Sequence, residues 1–354
     1  MHINDLEAIW EVVTPLRFDW IQVEVSAVCN ASCAYCVLGC YKGDWAGGLM
    51  DMDTFDHIEP NFPKADLVFL QGWGEPLLHP RFWEMVQRVK SADRRVGFTT
   101  NGTLLDSETL SRLLDADVDI MGVSLAGTTA TMNDRFRQGC DFARIDAALR
   151  ELKKMKQSRK GEAPSVHLAF MLLKSNWQEL NRLPALAAEW GADQVVINNL
   201  SFIGSQAMQE ESLFLHPELW PHIVAVLDKI KADAQGMGIE LHYYRPDASE
   251  PRSVCTENIL KACFISYRGD VSPCVLTNIS VKEGKPVEYY FQNRAYLVEK
   301  FLFGNVNAQP LAEIWNSEKA RMFRSAFEKR LGIECPGMTD LPVPCRHCYK
   351  LFER

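Results

Sequence analysis

Six short apolar runs alternate with longer amphipathic segments between about residues 20 and 200, and this alternation constrains the fold more than any other feature. Candidate strands lie at 20–26, 67–71, 96–100, 120–126, 166–173 and 194–200, and candidate helices lie at 81–92, 142–156 and 179–191. Alternating units of this kind predict parallel strands joined by right-handed crossovers. Because no phosphate-binding glycine fingerprint follows the first strand, the pattern favours a partial (β/α)6 TIM-like barrel over an open sheet. Functional side chains are then expected at the carboxyl ends of the strands.

The last third of the chain has a different pattern. A helix is predicted at 217–235, and the later predictions are short strands at 238–244, 264–269 and 270–276, a polar connection at 281–294 and a helical stretch at 311–329. We therefore predict a barrel domain at 1–236 and a smaller C-terminal domain at 237–354.

The charge balance and hydropathy exclude two classes of partner. The chain has 354 residues, with 38 basic and 46 acidic side chains and a net charge of −8, which argues against broad electrostatic binding of nucleic acid. No apolar run reaches the length of a membrane helix, and the first residues lack the pattern of a signal peptide. These features predict a cytoplasmic protein with no membrane partner.

The 11 cysteines are concentrated in two places. Four lie between residues 29 and 40, one stands alone at 140, and six lie in the last hundred residues. Disulfides are rare in the cytoplasm, where thiols are kept reduced. Two groups of soft ligands therefore predict two metal sites.

The first group is a C-x3-C-x2-C array formed by Cys29, Cys33 and Cys36, in the loop after the first predicted strand. Three thiolates can hold three irons of a four-iron (4Fe-4S) cluster and leave the fourth iron open to a non-protein ligand. A zinc site closed by Cys40 is the alternative. Otherwise Cys40 and Cys140 are predicted to be bystanders.

This array, with an aromatic residue before its last cysteine, resembles the signature of the radical S-adenosylmethionine (radical SAM) superfamily. The resemblance implies a 4Fe-4S cluster that binds S-adenosylmethionine. The family's Gly-Gly-Glu-Pro turn is similar to Gly72-Trp73-Gly74-Glu75-Pro76, with a tryptophan at the first glycine of the pair. Gly74 and Glu75 would then bind the methionine ammonium, and a carboxylate between Gly74 and Pro76 has little structural use of its own.

The resemblance also implies further cofactor contacts. Tyr35 would lie near the adenine, Asn101 and Ser124 near the ribose or the carboxylate, and Arg137 at the methionine carboxylate, with Arg135 as a rival for that role. Each residue has a structural alternative: core packing for Tyr35, a turn for Asn101, backbone hydrogen bonding for Ser124 and a solvated surface charge for Arg137.

The second group combines Cys255, Cys274, Cys345 and Cys348. The sequence from Gly269 to Cys274 is typical of a β-hairpin turn that delivers a cysteine on its return strand. Four thiolates can close either a zinc site or a four-iron cluster.

The spacing of this region resembles the auxiliary-cluster extension called SPASM, or its shorter twitch form. The resemblance implies one auxiliary 4Fe-4S cluster on the four cysteines of the second group. Cys263 and Cys335 remain alternative ligands, and His347 is predicted to be an exposed loop residue.

Reductive cleavage of S-adenosylmethionine to a 5′-deoxyadenosyl radical, which takes a hydrogen atom from a substrate, is the chemistry that the resemblance implies. Maturation of a peptide, a protein or a partner metalloenzyme is the favoured function, with a ferredoxin or flavodoxin as electron donor. Because only about twenty residues precede the first strand, we expect a peptide substrate either to be delivered by a separate partner or to dock directly on the barrel mouth. A small-molecule radical oxidoreductase, such as a dehydrogenase of an alcohol or aminocyclitol, and a non-catalytic iron–sulfur or zinc scaffold are the alternatives. The sequence assigns no catalytic residue.

Overall fold

The computed structural model describes residues 16–159, 161–247, 249–333 and 337–354. The first fifteen residues and Cys335 lie outside the described residues.

The strands are β1 Phe18–Val23, β2 Ser32–Cys33, β3 Ala65–Phe69, β4 Arg95–Thr100, β5 Ile120–Leu125, β6 Arg137–Gln138, β7 Ser165–Leu172, β8 Gln194–Asn199, β9 Glu240–Tyr243, β10 Ala262–Ile265, β11 Asp270–Ser272, β12 Val287–Phe291, β13 Arg294–Val298 and β14 Gly304–Asn305. The helices are α1 Val37–Cys40, α2 Met52–Ile58, α3 Phe82–Ser91, α4 Ser107–Asp115, α5 Ala130–Phe136, α6 Phe142–Arg159, α7 Leu183–Trp190, α8 Gln206–Glu211, α9 Trp220–Gly236, α10 Leu311–Trp315 and α11 Glu318–Glu328.

The main sheet has the strand order β14-β11-β10-β1-β3-β4-β5-β7-β8-β9. The six strands expected from the sequence are β1, β3, β4, β5, β7 and β8, and they are adjacent and parallel. This confirms the partial (β/α)6 arrangement. The described sheet ends at β14 on one side and at β9 on the other, so the barrel is open.

Alternation within the strands explains how the sheet is covered. Along β7 each second residue is buried, and Val166, Leu168, Phe170 and Leu172 pack into the hydrophobic core. The intervening residues are only half-buried and lie on the opposite face of the strand. On this strand, one face therefore packs into the core while the other carries the more accessible side chains.

The C-terminal third contributes strands to the same sheet as the barrel. β9 pairs in parallel with β8, and β10 pairs in parallel with β1 on the side opposite β3. β11 then returns antiparallel to β10, which confirms the predicted hairpin before Cys274. The two regions are thus joined by continuous strand pairing, and the domain boundary near residue 236 stays a prediction.

The polar connection predicted at 281–294 is wrong, because β12 and β13 form an antiparallel hairpin there. Val287, Tyr289 and Phe291 are buried and alternate with more exposed neighbours, which is the pattern of a half-buried strand. Gln292 and Asn293 have φ values of 47° and 61°, as a two-residue type I′ turn requires.

The helical stretch predicted at 311–329 is divided into α10 and α11. Asn316 ends the first helix, and the Ser317 hydroxyl accepts a hydrogen bond from the Ala320 amide to cap the second. Among the described residues, no helix combines the length and the hydropathy needed to cross a membrane.

Two candidate metal centres

The loop that carries the first cysteine group begins after β1, at the carboxyl-terminal end of that strand. Its short strand β2 pairs antiparallel with β6, so that Cys33 lies opposite Arg137. The Ala34 amide also donates to the Phe136 carbonyl over 2.8 Å. The loop is therefore attached to the segment that follows α5, more than a hundred residues later in the chain.

The three thiols of this loop are electrostatically coupled. Cys29, Cys33 and Cys36 are each partly buried. A hydrogen bond from Cys140 and the nearby Arg137 guanidinium lower the pKa of Cys33 to about 6. Burial raises the pKa of Cys29, and burial together with the Cys33 charge raises the pKa of Cys36 to about 12. Cys140, which was predicted to be a bystander, is thus a direct neighbour of the loop.

Arg137 is almost completely buried, which excludes the alternative of a solvated surface charge. Its guanidinium donates to the Ser124 carbonyl and, over 3.1 Å, to the Asn101 carbonyl. The Nε atom is buried and has no hydrogen-bond partner. Arg137 therefore joins the cysteine loop to the carboxyl ends of β4 and β5. Arg135, the rival candidate, is exposed and lies over the Phe136 ring.

Glu75 has a structural use that the sequence analysis did not foresee. Its carboxylate is buried and accepts hydrogen bonds from the Leu77 amide over 3.2 Å, the Thr100 hydroxyl over 2.8 Å and the Asn101 amide over 2.6 Å. Burial raises its pKa to about 7, although these hydrogen bonds oppose the shift. Glu75 thus ties the glycine-rich turn to the end of β4.

Gly74 allows the same turn to approach the cysteine loop closely. A Cβ atom at this position would lie 2.4 Å from the Val28 carbonyl oxygen and 2.6 Å from that of Ser26. The neighbouring Glu75 amide donates to the Val28 carbonyl over 2.8 Å. Only glycine fits this backbone contact.

Asn101 lies directly beside the cysteine loop. Its Nδ2 donates to Asn30 Oδ1 over 2.8 Å and to Cys29 Sγ over 3.6 Å, while its Oδ1 accepts from the Thr103 amide over 2.9 Å. Its side chain therefore both forms the local turn and contacts the loop. Ser124 is half-buried, and its carbonyl accepts a hydrogen bond from Arg137.

Tyr35 is partly exposed, but its hydroxyl lies in an interior environment. Burial raises the pKa of this hydroxyl, with the Arg137 cation opposing the shift and the charges of Cys33 and Cys36 adding to it. The tyrosine thus lies among the thiols and the guanidinium.

Glu24 and Trp73 connect the glycine-rich turn to the C-terminal third, and sequence reasoning missed this connection. The fully buried Glu24 carboxylate accepts from the Trp73 amide over 2.9 Å and from the Tyr267 amide over 3.3 Å. The Trp73 indole donates to the Asn278 carbonyl over 3.1 Å and contacts Trp45 edge-on at 6.4 Å between ring centroids. The available sequence signal was an acid, Glu24, inside the apolar run at 20–26.

The four predicted cysteines of the second group line one small cavity. Cys255 precedes β10, Cys274 follows β11, and Cys345 and Cys348 lie near the C-terminus. Phe323 and Phe327 of α11 also line this cavity, among other apolar residues. Cys263, the described alternative ligand, is buried in β10 and is not among the lining residues.

Burial is the largest influence on the pKa of each of these four thiols. It raises the pKa of Cys274 and of Cys348 to about 12, and it raises the pKa values of Cys255 and Cys345 well above the ordinary range. Mutual repulsion between the thiolates adds to the shift. Bound metal ions would offset this cost, because metal binding drives the release of thiol protons.

Two further charged residues line the same cavity and were missed by the sequence analysis. These are Glu257 and Lys350, which form an ion pair of 3.3 Å. His347, predicted to be exposed, is instead partly buried and stacks on Tyr296 with 3.7 Å between ring centroids.

The donor sets fit iron–sulfur clusters by their chemistry. Each site offers thiols, the ligands that such clusters use, with three at the loop and four at the cavity. In the described part of the chain, no group of three His, Cys, Asp or Glu side chains is arranged to hold a single metal ion.

Comparison with known proteins gives a consistent result. The family model of the radical SAM superfamily matches residues 23–186, and that of the SPASM iron–sulfur cluster-binding domain matches residues 255–349. The chain is 29% identical over 322 residues to the tungsten-containing aldehyde ferredoxin oxidoreductase cofactor-modifying protein of Pyrococcus furiosus, covering 89% of this chain and 86% of that protein.

The chain is also 26% identical over 348 residues to the AdoMet-dependent heme synthase of Methanosarcina barkeri, covering 92% of this chain and 89% of that protein. Among solved structures, native anSMEcpe with bound AdoMet is similar with a TM-score of 0.63 and 15% identity, covering 87% of this chain and 83% of that one. This structural likeness supports the fold.

Proposed function

The chain belongs to the radical SAM superfamily and carries a SPASM extension, and from this premise we propose that it is a maturase that modifies a peptide, a protein or the cofactor of a partner metalloenzyme. The observation that carries the proposal is similarity along nearly the whole chain to a cofactor-modifying protein of a tungsten enzyme. Both cysteine groups lie within the residues that the two family models match. The proposal includes the division of the chain into a barrel domain at 1–236 and a smaller C-terminal domain at 237–354.

The residues present allow specific roles to be proposed. Cys29, Cys33 and Cys36 hold the cluster that binds S-adenosylmethionine, and the four cavity cysteines hold an auxiliary cluster. When bound, the first cluster supplies the electron that cleaves S-adenosylmethionine to a 5′-deoxyadenosyl radical, and this radical takes a hydrogen atom from the substrate. A ferredoxin or flavodoxin provides the electron.

The chain itself orients and shields the cofactor. Gly74 lets the turn approach the cysteine loop, and Glu75 fixes the Asn101 amide at the end of β4. Asn101 contacts Cys29 directly, and the Arg137 cation lies beside Cys33. Tyr35, Ser124 and Arg137 complete the S-adenosylmethionine site in this proposal. The buried guanidinium offsets thiolate charge in an environment that excludes water.

A small-molecule radical oxidoreductase is the second candidate. It is favoured by the similarity to a heme synthase, which extends over 92% of this chain. In this case the substrate is a tetrapyrrole-like molecule and not a polypeptide.

Anaerobic reconstitution followed by product analysis tests both candidates. The purified chain should bind about eight irons, as two four-iron clusters require. With dithionite it should convert S-adenosylmethionine to 5′-deoxyadenosine. A full iron load without any 5′-deoxyadenosine would contradict the enzymatic proposal.

The substrate class is identified by isotope transfer. Candidate peptides or a purified apo-metalloenzyme are labelled with deuterium and compared with labelled tetrapyrroles. Maturation predicts that deuterium enters 5′-deoxyadenosine from the polypeptide or its cofactor. Transfer from the tetrapyrrole alone would reject maturation in favour of the second candidate.

A further inference from the structure

A buried ion-pair network forms part of the wall of the second cysteine cavity. Lys350 Nζ lies 3.3 Å from Glu257 Oε1 and 3.3 Å from Glu353 Oε2. The side chains of Lys350 and Glu257 are only 18% and 22% exposed, and both line the cavity together with Cys348 and the three other thiols. The charges therefore act in a medium that screens them less than water does.

The network is held in place from both domains. Glu353 is almost completely buried, and its carboxylate accepts hydrogen bonds of 2.7 Å from the Ser201 hydroxyl and 2.7 Å from the Thr256 hydroxyl. Ser201 follows β8 of the barrel. Glu353 is thereby fixed, and it fixes Lys350 in turn. Because the charges of Glu353 and Lys350 are fixed, they exert a defined electrostatic field on the cavity, which mobile surface charges could not do.

Lys350 lies two residues after Cys348 and lines the same cavity. Two carboxylates flank the Lys350 ammonium at 3.3 Å each, so this side chain contributes a cation to the cavity wall. The Lys350 backbone amide donates to the Cys348 thiol.

The potential of an iron–sulfur cluster depends on its net charge, its exposure and the hydrogen bonds to its sulfurs. Reduction adds one electron, so a fixed cation stabilises the reduced form and a fixed anion destabilises it. We propose that Lys350 and Glu257 set the reduction potential of the auxiliary centre, with Lys350 raising it and Glu257 lowering it. This inference rests on the proposed assignment of an auxiliary cluster to the four cavity cysteines.

The charge count gives the proposal a specific form. Lys350, Glu257 and Glu353 sum to −1. Lys350→Met makes the sum −2 and should lower the midpoint potential, whereas Glu257→Gln makes it 0 and should raise it. The double variant restores −1 and should return the midpoint close to that of the wild type.

Redox titration monitored by electron paramagnetic resonance measures these shifts. The full chain is used with Cys29, Cys33 and Cys36 replaced by alanine, so that only the auxiliary centre contributes a signal. Lys329→Met and Glu328→Gln are matched controls, because both residues are exposed and lie on or next to α11, which covers the cavity. Neither control should shift the midpoint.

Shifts of opposite sign in the two single variants support the proposal. Unchanged midpoints, or shifts of the same sign, overturn it, since general damage to the site does not depend on the sign of the removed charge. If Lys350→Met loses its iron, Glu257→Gln decides: a raised midpoint supports the proposal and an unchanged or lowered one rejects it. Absence of iron from the parent protein with an intact cavity would instead reject the auxiliary cluster itself.

Discussion

The two cysteine groups use the same ligand but are assembled in opposite ways. The first comes from one short loop, where a hydrogen bond from Cys140 and the buried Arg137 lower the pKa of Cys33 to about 6. The second is gathered from three separate segments, and burial raises the pKa of all four thiols. A local site with three thiols leaves a coordination position open, whereas four thiols around a closed cavity leave none.

The two groups therefore differ in what brings their thiols together. The loop cysteines are brought together by their spacing, and the cavity cysteines are brought together only by the completed fold. We expect the loop to determine the cleavage of S-adenosylmethionine and the cavity to determine the conversion of the substrate after that cleavage.

Removing each cysteine group in turn should have the largest effect. Replacing Cys29, Cys33 and Cys36 by alanine should reduce the iron content from about eight to about four and abolish 5′-deoxyadenosine formation. Replacing Cys345 and Cys348 should also remove about four irons but leave that reaction in place. Iron analysis and product quantification measure both results. Equal loss of 5′-deoxyadenosine in the two variants would remove the functional distinction between the sites.

Arg137 distinguishes the two sites. Among the described residues, only the first site has a buried guanidinium beside its thiols. Arg137→Leu leaves the carbonyls of Asn101 and Ser124 without their donor and should destabilise the protein by about 3 kcal/mol. Anaerobic denaturant unfolding measures this loss, and the exposed Arg135→Leu is the matched control. If the two variants are equally stable, Arg137 does not anchor the loop.

Glu24 gives a pH-dependent effect no larger than that of Arg137, and it links the two regions through Trp73 and Tyr267. Burial raises its pKa from 4.5 to about 7. Between these values the native state keeps a proton that the unfolded state has lost, so the free energy of unfolding falls as pH rises through this interval. The loss is at most about 3 kcal/mol and is complete above the native pKa.

Unfolding of Glu24→Gln across pH 4.5 to 8 checks this pH dependence. The variant should lack this component of the decline, while the exposed Glu328→Gln should retain it. If the free energy of unfolding changes by the same amount over the interval in the wild type and in both variants, Glu24 does not contribute to the decline.

The sequence predicted the barrel strands well, because buried parallel strands appear as short apolar runs between helical segments. It missed β12 and β13, where Glu288, Tyr290 and the polar turn at Gln292 and Asn293 dilute the apolar signal. The break between α10 and α11 was also missed, since a serine cap inside a helical pattern changes few residues.

The site was predictable to the extent that it depends on spacing. The four cavity cysteines could be grouped by their resemblance to a known extension, and the structure places them around one cavity. The neighbours of the thiols could not be predicted, because Cys140 and Arg137 reach Cys33 from a strand pairing more than a hundred residues away. Lys350 and Glu257 are likewise unremarkable in sequence and become neighbours only through tertiary contacts.

The pairing of β10 with β1 has a consequence for the order of assembly. The strand that leads into the cysteine loop is made early in synthesis, but its neighbour on one side is made only after about residue 262. Until then one edge of β1 is unpaired, and such edges are prone to mispairing with other chains. The strand that leads into the cysteine loop therefore gains its full set of neighbours only after the C-terminal third of the chain has been made.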